Sequence, residues 1–292
     1  MFEGTFTALV TPFRNDQLDE DAYVRLIEGQ VEAGVTGIVP VGTTGESPTL
    51  DHEEHRRVIE LAVKAAAKRC LVIAGTGSNA TAEAISLTQE AERAGADAAL
   101  LVAPYYNKPS QEGLFLHFRK IAQATKMKVI LYSIPARCGV EIAIETVVRL
   151  AAECPNIVAI KEAGGTVERV SQLRAALPAS FEILCGDDSL TLPFISAGAC
   201  GVISVASNLI PKSVSTLVRA ALNGDMKQAR DLHLRYYPLF KDLFIETNPV
   251  PIKAALGLTG RMLPDVRLPL CALSESSQRK LESTLRGLNL LS

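Results

Sequence analysis

The stretch CLVIAGTGSNATAEAISLTQEAERAGADAALLVA, residues 70–103, contains in one piece the unit that the rest of the chain repeats. It opens with a short apolar run, turns through glycines, continues with helical periodicity to Gly95 and returns to an apolar run. Both runs are continuous rather than alternating, the pattern of parallel strands covered on both faces. A helix between two such strands is a crossover unit, and a glycine at the helix end supplies the positive φ that stops it cheaply.

Working outward, the same apolar runs recur at 5–10, 37–41, 128–133, 156–161, 181–186 and 201–206. With 70–75 and 98–103 they make eight predicted strands. Helical patterns fill the intervals, as at 19–34, 53–69, 81–95 and 111–126, and Gly34 repeats the terminating role of Gly95. Eight units joined by short links, with no shift in composition before about residue 206, predict an α/β fold of the (β/α)8 barrel type. The strand signal then stops. Helical segments follow at roughly 212–242, 249–257 and 274–289, punctuated by Asn248-Pro249 and Pro264, and a barrel needs only one helix after its last strand. The expected organisation is a catalytic barrel over 1–222 with a helical C-terminal extension over 223–292.

The rival architecture is a doubly wound nucleotide-binding domain, because Gly75-Thr-Gly77-Ser-Asn-Ala80 follows a strand and matches G-x-G-x-x-A. Asp97 stands at a suitable distance, but it precedes the next apolar run instead of ending it, and the motif lies in the third unit. A tight glycine loop before a helix accounts for it equally well.

Composition narrows the function classes. The 292 residues carry 30 Lys plus Arg against 32 Asp plus Glu, a formal charge of −2, with 48% hydrophobic residues. A chain so balanced and so apolar folds around a core, and its scattered charges leave no footprint for nucleic acid or an anionic membrane. No apolar run approaches membrane-spanning length, and MFEGTFTALVTPFRND lacks a basic region before a long apolar stretch, so a cytoplasmic location is expected. Six dispersed cysteines show no CxxC pair, and His52 and His55 are not at zinc-helix spacing, so no metal site is expected. A small-molecule partner remains.

In a barrel, chemistry gathers where strands end and the following loops begin. Lys161 closes the apolar run Asn156-Ile-Val-Ala-Ile160, a place where water loss lowers an amine pKa toward that of a nucleophile; a lysine snorkelling to solvent is the alternative. Tyr132 ends the preceding strand and is placed to move protons beside that amine, although a half-buried aromatic would read the same. Arg137 follows in the same loop with a fork suited to a carboxylate. The loop Gly42-Thr43-Thr44-Gly45-Glu46-Ser47 offers hydroxyls and backbone N–H groups to a small anion, or simply turns and caps a helix. Gly186-Asp187-Asp188 reads first as a turn with an N-cap, and Tyr105-Tyr106 as packing.

Taken together in order, Gly42–Ser47, Pro104-Tyr-Tyr-Asn107, Tyr132-Ser-Ile-Pro-Ala-Arg137, Ile160-Lys-Glu-Ala163, Gly186-Asp-Asp188 and Gly201-Val-Ile-Ser204 resemble the dihydrodipicolinate synthase family of class I, pyruvate-dependent aldolases and lyases. The resemblance covers nearly the whole chain. It implies that Lys161 forms a Schiff base with pyruvate and that Tyr132, Thr43 and Tyr106 relay protons, Tyr106 coming from a neighbouring subunit. It implies that Thr43 and Thr44 hold the pyruvate carboxylate, with Gly186 and Ile203 lining the pocket, and that Arg137 binds the carboxylate of L-aspartate 4-semialdehyde. The product would be 4-hydroxy-tetrahydrodipicolinate, on the diaminopimelate route to lysine, made by a homotetramer of tight dimers without a cofactor. Arg137 favours this reaction over that of the related N-acetylneuraminate lyases and other 2-keto acid aldolases; a non-catalytic small-molecule sensor on the same fold is the alternative of another kind. Some family members are inhibited by lysine, and the matching positions here are Ser47, His52, His55, Asn79, Glu83 and Tyr105. Two residues depart from the family pattern, Ser133 where Asn is more usual and Pro48 where a small residue is.

Overall fold

The structure, a computed structural model, describes residues 2–291. Its strands are β1 (Gly4–Ala8), β2 (Phe13–Arg14), β3 (Gln17–Leu18), β4 (Gly37–Val39), β5 (Leu71–Gly75), β6 (Ala98–Val102), β7 (Lys128–Ser133), β8 (Ile157–Glu162), β9 (Glu182–Cys185) and β10 (Gly201–Ser204). All but β2 and β3 close into a parallel barrel in the order β1-β10-β9-β8-β7-β6-β5-β4, and β2 pairs with β3 as a small antiparallel hairpin. The eight predicted strands are the eight barrel strands, within a few residues at their ends.

Each barrel strand is buried on both faces, which is why its sequence does not alternate. Phe6, Leu100, Ile130, Tyr132, Ala159, Leu184 and Ile203 fill the interior. Their chain neighbours Leu101, Val129, Leu131, Ile160, Ile183 and Val202 face outward against the helices. A side chain of this size contributes about 1.5–3 kcal/mol when fully buried, so the two layers supply much of the driving force for closure. Helix ends follow the sequence: Asp51 caps His52–Ala66 in a reciprocal capping box with Glu54, and Gly34 and Gly95 adopt positive φ after Glu20–Glu32 and Thr81–Ala94.

The glycines of the G-x-G-x-x-A stretch serve packing. A Cβ on Gly75 would lie 2.6 Å from the Val41 carbonyl oxygen, and one on Gly77 would strike the backbone nitrogen of Val102. Asp97 spends its carboxylate on the Val72 N–H (2.9 Å) and on Lys68 (3.1 Å).

After β10 the chain is helical, as expected, but the segment predicted at 212–242 is two helices. Gly224, with φ +80°, separates Pro211–Leu222 from Met226–Asp242, and Asp225 caps the second through the Gln228 N–H at 3.0 Å. The helices Val250–Leu258 and Glu275–Gly287 complete the extension. Met226–Asp242 packs on Pro211–Leu222, while Val250–Leu258 reaches the turn at Ala206–Asn208 at the end of β10. The extension therefore lies against the barrel face where the strands end.

Candidate active site

Lys161 follows Ala159 on the inward register of β8, and it pairs across the ladder with Tyr132 of β7. Its side chain is only 6% exposed, and its Nζ lies against the face of the Tyr132 ring, 4.2 Å from the centroid. Burial brings its pKa down to about 8, while the nearby Asp188 and Cys185 act in the opposite direction. The amine is thus held in the barrel, and it does not snorkel. Tyr132 is buried too. Desolvation pushes its hydroxyl up to about 12, opposed by the charge of Arg137 and a hydrogen bond with Thr43, so it is a neutral phenol able to donate and accept protons.

A cavity of about 220 Å³ opens beside this pair, lined by Thr43, Tyr132 and Arg137 together with Ser47, Pro48 and Tyr105. Thr43 and Thr44 stand on the loop after β4, which turns through the Gly45 N–H to Gly42 and the Glu46 N–H to Thr43 (3.0 and 3.1 Å). Arg137 belongs to the short helix Pro135–Cys138 after β7 and donates from Nη2 to the Asn248 carbonyl at 3.0 Å. Ser133, the unusual residue at the end of β7, is fully buried and accepts from the Ile142 N–H at 3.4 Å, so it still ties down the far end of the loop carrying Arg137.

Gly186 follows β9, and its need for glycine is steric: a Cβ there would lie 3.1 Å from Cε of Lys161 and 2.7 Å from Cβ of Ala163. Ile203 is 1% exposed and packs in the interior cluster that includes Tyr132. Asp187 acts as the N-cap that the sequence predicts, accepting from the Ser189 N–H at 2.8 Å. Asp188 does more. It is buried and accepts from Ser204 Oγ and from the Val205 and Ala206 N–H groups (3.0 and 2.9 Å), fixing the loop after β10 and placing a carboxylate near the amine. Desolvation raises its own pKa to about 6, against the pull of those donors.

Tyr106 stands apart from Lys161 within the chain. It is 91% exposed with φ +71°, while Tyr105 turns back toward the cavity. Beside Tyr105 the structure gathers most of the remaining candidates. His52 Nε2 meets Glu83 at 2.9 Å, Ser78 also donates to Glu83, and Asn79 Nδ2 donates to the Tyr105 carbonyl at 3.2 Å. Ser47 shares the cavity wall with Tyr105. His55 sits deeper, 3% exposed, with its Nε2 on the Gly75 carbonyl at 3.0 Å. Sequence reasoning missed Asn248, whose only signal was the punctuation before Pro249, and it gave no role to Asp188 or Glu46.

A desolvated lysine on an inward strand position, backed by a buried phenol beside a small cavity lined by Thr43 and Arg137, defines a barrel enzyme of the class I, Schiff-base lyase type. The chain belongs to the dihydrodipicolinate synthetase family, whose model matches residues 1–288. It is 51% identical over 290 residues to the 4-hydroxy-tetrahydrodipicolinate synthase of Aquifex aeolicus, covering 99% of each chain. It superposes with a TM-score of 0.98 on the 4-hydroxy-tetrahydrodipicolinate synthase of the methanotroph Methylacidiphilum fumariolicum SolV, at 57% identity over 99% of this chain and 96% of the other. The lysine-bound dihydrodipicolinate synthase of Cyanidioschyzon merolae is similar at 41% identity and a TM-score of 0.97, with 99% of each chain covered.

Proposed function

We propose that the protein condenses pyruvate with L-aspartate 4-semialdehyde to give 4-hydroxy-tetrahydrodipicolinate, and the observation that carries this is the buried amine of Lys161 against Tyr132, with Arg137 at the same mouth. With a pKa near 8, about a tenth of the amine is neutral at pH 7, far more than for an ordinary lysine. Its lone pair attacks the pyruvate carbonyl carbon; the carbinolamine loses water, and Tyr132, hydrogen-bonded to Thr43, passes the protons. Loss of a proton from the methyl carbon gives an enamine, which forms a carbon–carbon bond to the aldehyde. The amine of the second substrate then displaces Lys161 and closes the ring. Over the whole cycle one water leaves.

Thr43 and Thr44 serve the pyruvate carboxylate and Arg137 that of the semialdehyde, with Gly186 and Ile203 shaping the pocket. Tyr106, with its ring in solvent, is assigned to the relay of a partner subunit, within a homotetramer of tight dimers. The test is product formation followed by NMR, with pyruvate plus N-acetylmannosamine in parallel. A cyclic dicarboxylate from the first mixture alone is expected; product from the second alone would move the protein to the sugar-acid lyases. Silence in both, with no mass gain on borohydride and pyruvate, would leave the sensor. Lys161→Ala should abolish most turnover while the barrel stays folded, and Arg137→Ala should chiefly raise KM for the semialdehyde while the pyruvate adduct still forms.

The group Ser47, His52, His55, Asn79, Glu83 and Tyr105 is read as a lysine site, supported by the lysine-bound relative and by the cluster around Glu83, whose carboxylate suits an ammonium group. His55, buried against Gly75, would act from behind the site, and Pro48 lines the same cavity wall as Thr43. Unchanged turnover at saturating lysine would refute this reading.

A further inference from the structure

Asn248 comes from the extension, yet it touches Thr44, next to Thr43 of the cavity wall, and Arg137 in that wall. It is 5% exposed; its side-chain Nδ2 donates to Thr44 Oγ1 at 3.0 Å, and its backbone carbonyl accepts from Arg137 Nη2 at 3.0 Å. We infer that Asn248 is a positioning residue for the pyruvate carboxylate, its amide fixing the direction in which the Thr44 hydroxyl donates while its backbone separately anchors Arg137. The inference rests on the functional reading above.

The argument is one of donor accounting. An amide nitrogen can only donate, so in this pair the Thr44 oxygen accepts and its own proton must go elsewhere. Among the described residues Thr44 donates to no protein acceptor, and it is 3% exposed, so bulk water does not take up that proton freely. A buried hydroxyl with its proton free and its lone pair engaged is a preset donor for an anion. The opposite amide orientation would turn the proton away from the mouth. The Asn248 Oδ1 is buried without a partner in the protein, so the contact to Thr44 is the one hydrogen bond this side chain makes among the described residues. Substitution of the side chain separates the two contacts, because the carbonyl used by Arg137 remains.

The experiment is a double-mutant cycle on KM for each substrate. Asn248→Ala is expected to raise KM for pyruvate roughly three- to ten-fold, the loss of one hydrogen bond's worth of alignment. KM for the semialdehyde should stay within about two-fold, because the Arg137 contact is to backbone. In a Thr44→Val background the Asn248→Ala change should add nothing further. An unchanged pyruvate KM, an equal rise in both constants, or a full effect in the Thr44→Val background overturns the inference. Should Asn248→Ala fail to fold, the isosteric Asn248→Asp is read in the same cycle. It accepts the Thr44 proton, so pyruvate KM should rise only while Thr44 is present, and a rise persisting in the Thr44→Val background is direct charge repulsion and overturns the inference. If the unaltered protein gives no borohydride-trapped pyruvate adduct, it is the functional reading that fails.

Discussion

Lys161 shares the inward register of β8 with Ala159, so folding strips water from its ammonium group and its pKa falls from 10.5 to about 8. The sign of the stability effect follows. Below about pH 8 both folded and unfolded chains carry the proton and the full desolvation cost; between about 8 and 10.5 the unfolded chain binds more protons, so stability rises with pH. Lys161→Met should therefore be more stable than the parent at pH 7, by about 3 kcal/mol, with the gap closing toward pH 10.5 in urea titrations. A gap independent of pH would mean that packing, not charge, sets it. The same amine must be neutral to attack, so kcat/KM for pyruvate should rise with pH and level off near 8. Asp188, whose charge holds the amine's proton on, tunes that limb. Asp188→Asn should move it to lower pH, and a limb that stays in place would remove Asp188 from the electrostatics of the site.

At the scale of elements, the site depends on where strands stop. Gly186 follows β9 against the stem of Lys161, and an added methyl group would lie 3.1 Å from Cε. Gly186→Ala should slow adduct formation with pyruvate at least ten-fold while costing about 1–3 kcal/mol of stability, the usual range for overpacking. Rapid-quench borohydride trapping measures the first and urea unfolding the second; normal trapping would show that the lysine has room to spare. Strand positions were legible because both faces are buried and glycines stop the helices, and Lys161, Tyr132 and Arg137 were legible because each lies at or just after a strand end. The split at Gly224 was not, since one glycine in a helical pattern is ordinarily tolerated. Nor was the β2–β3 hairpin, whose strands of two residues each leave no periodicity. Asn248 and Asp188 escaped for another reason: their roles come from hydrogen bonds to residues 204 and 16 positions away, which no local pattern encodes.

Across the whole molecule, the extension is fastened to the barrel by a charge pair with no exposure at all. Lys253, in the helix Val250–Leu258, meets Glu46 at 2.5 Å and also donates to the Thr11 carbonyl at 2.9 Å. The other Glu46 oxygen accepts from the Arg267 N–H at 3.1 Å, and the Arg267 side chain forks onto Glu54 at 2.6 and 2.7 Å. Glu46 lies at φ +54° on the loop that carries Thr43 and Thr44, so the pair fixes that loop as well as the extension. A buried pair of this kind adds little net stability over apolar residues of the same shape, but removing one member strands the other charge away from water. Lys253→Met should accordingly cost about 3–5 kcal/mol, and Glu46→Gln with Lys253→Met should recover much of it. Turnover separates anchoring from bulk stability: if the pair matters only for folding, the double variant regains activity with its stability. If it also sets the loop, the double variant is stable yet keeps a raised KM for pyruvate, because a neutral amide at position 46 accepts from the Arg267 N–H less firmly than a carboxylate and a methionine at position 253 offers it no donor. Equal stability of the single and double variants would show that the interior relaxes around a lone carboxylate, and the fastening would then lie in the apolar contacts between the helices.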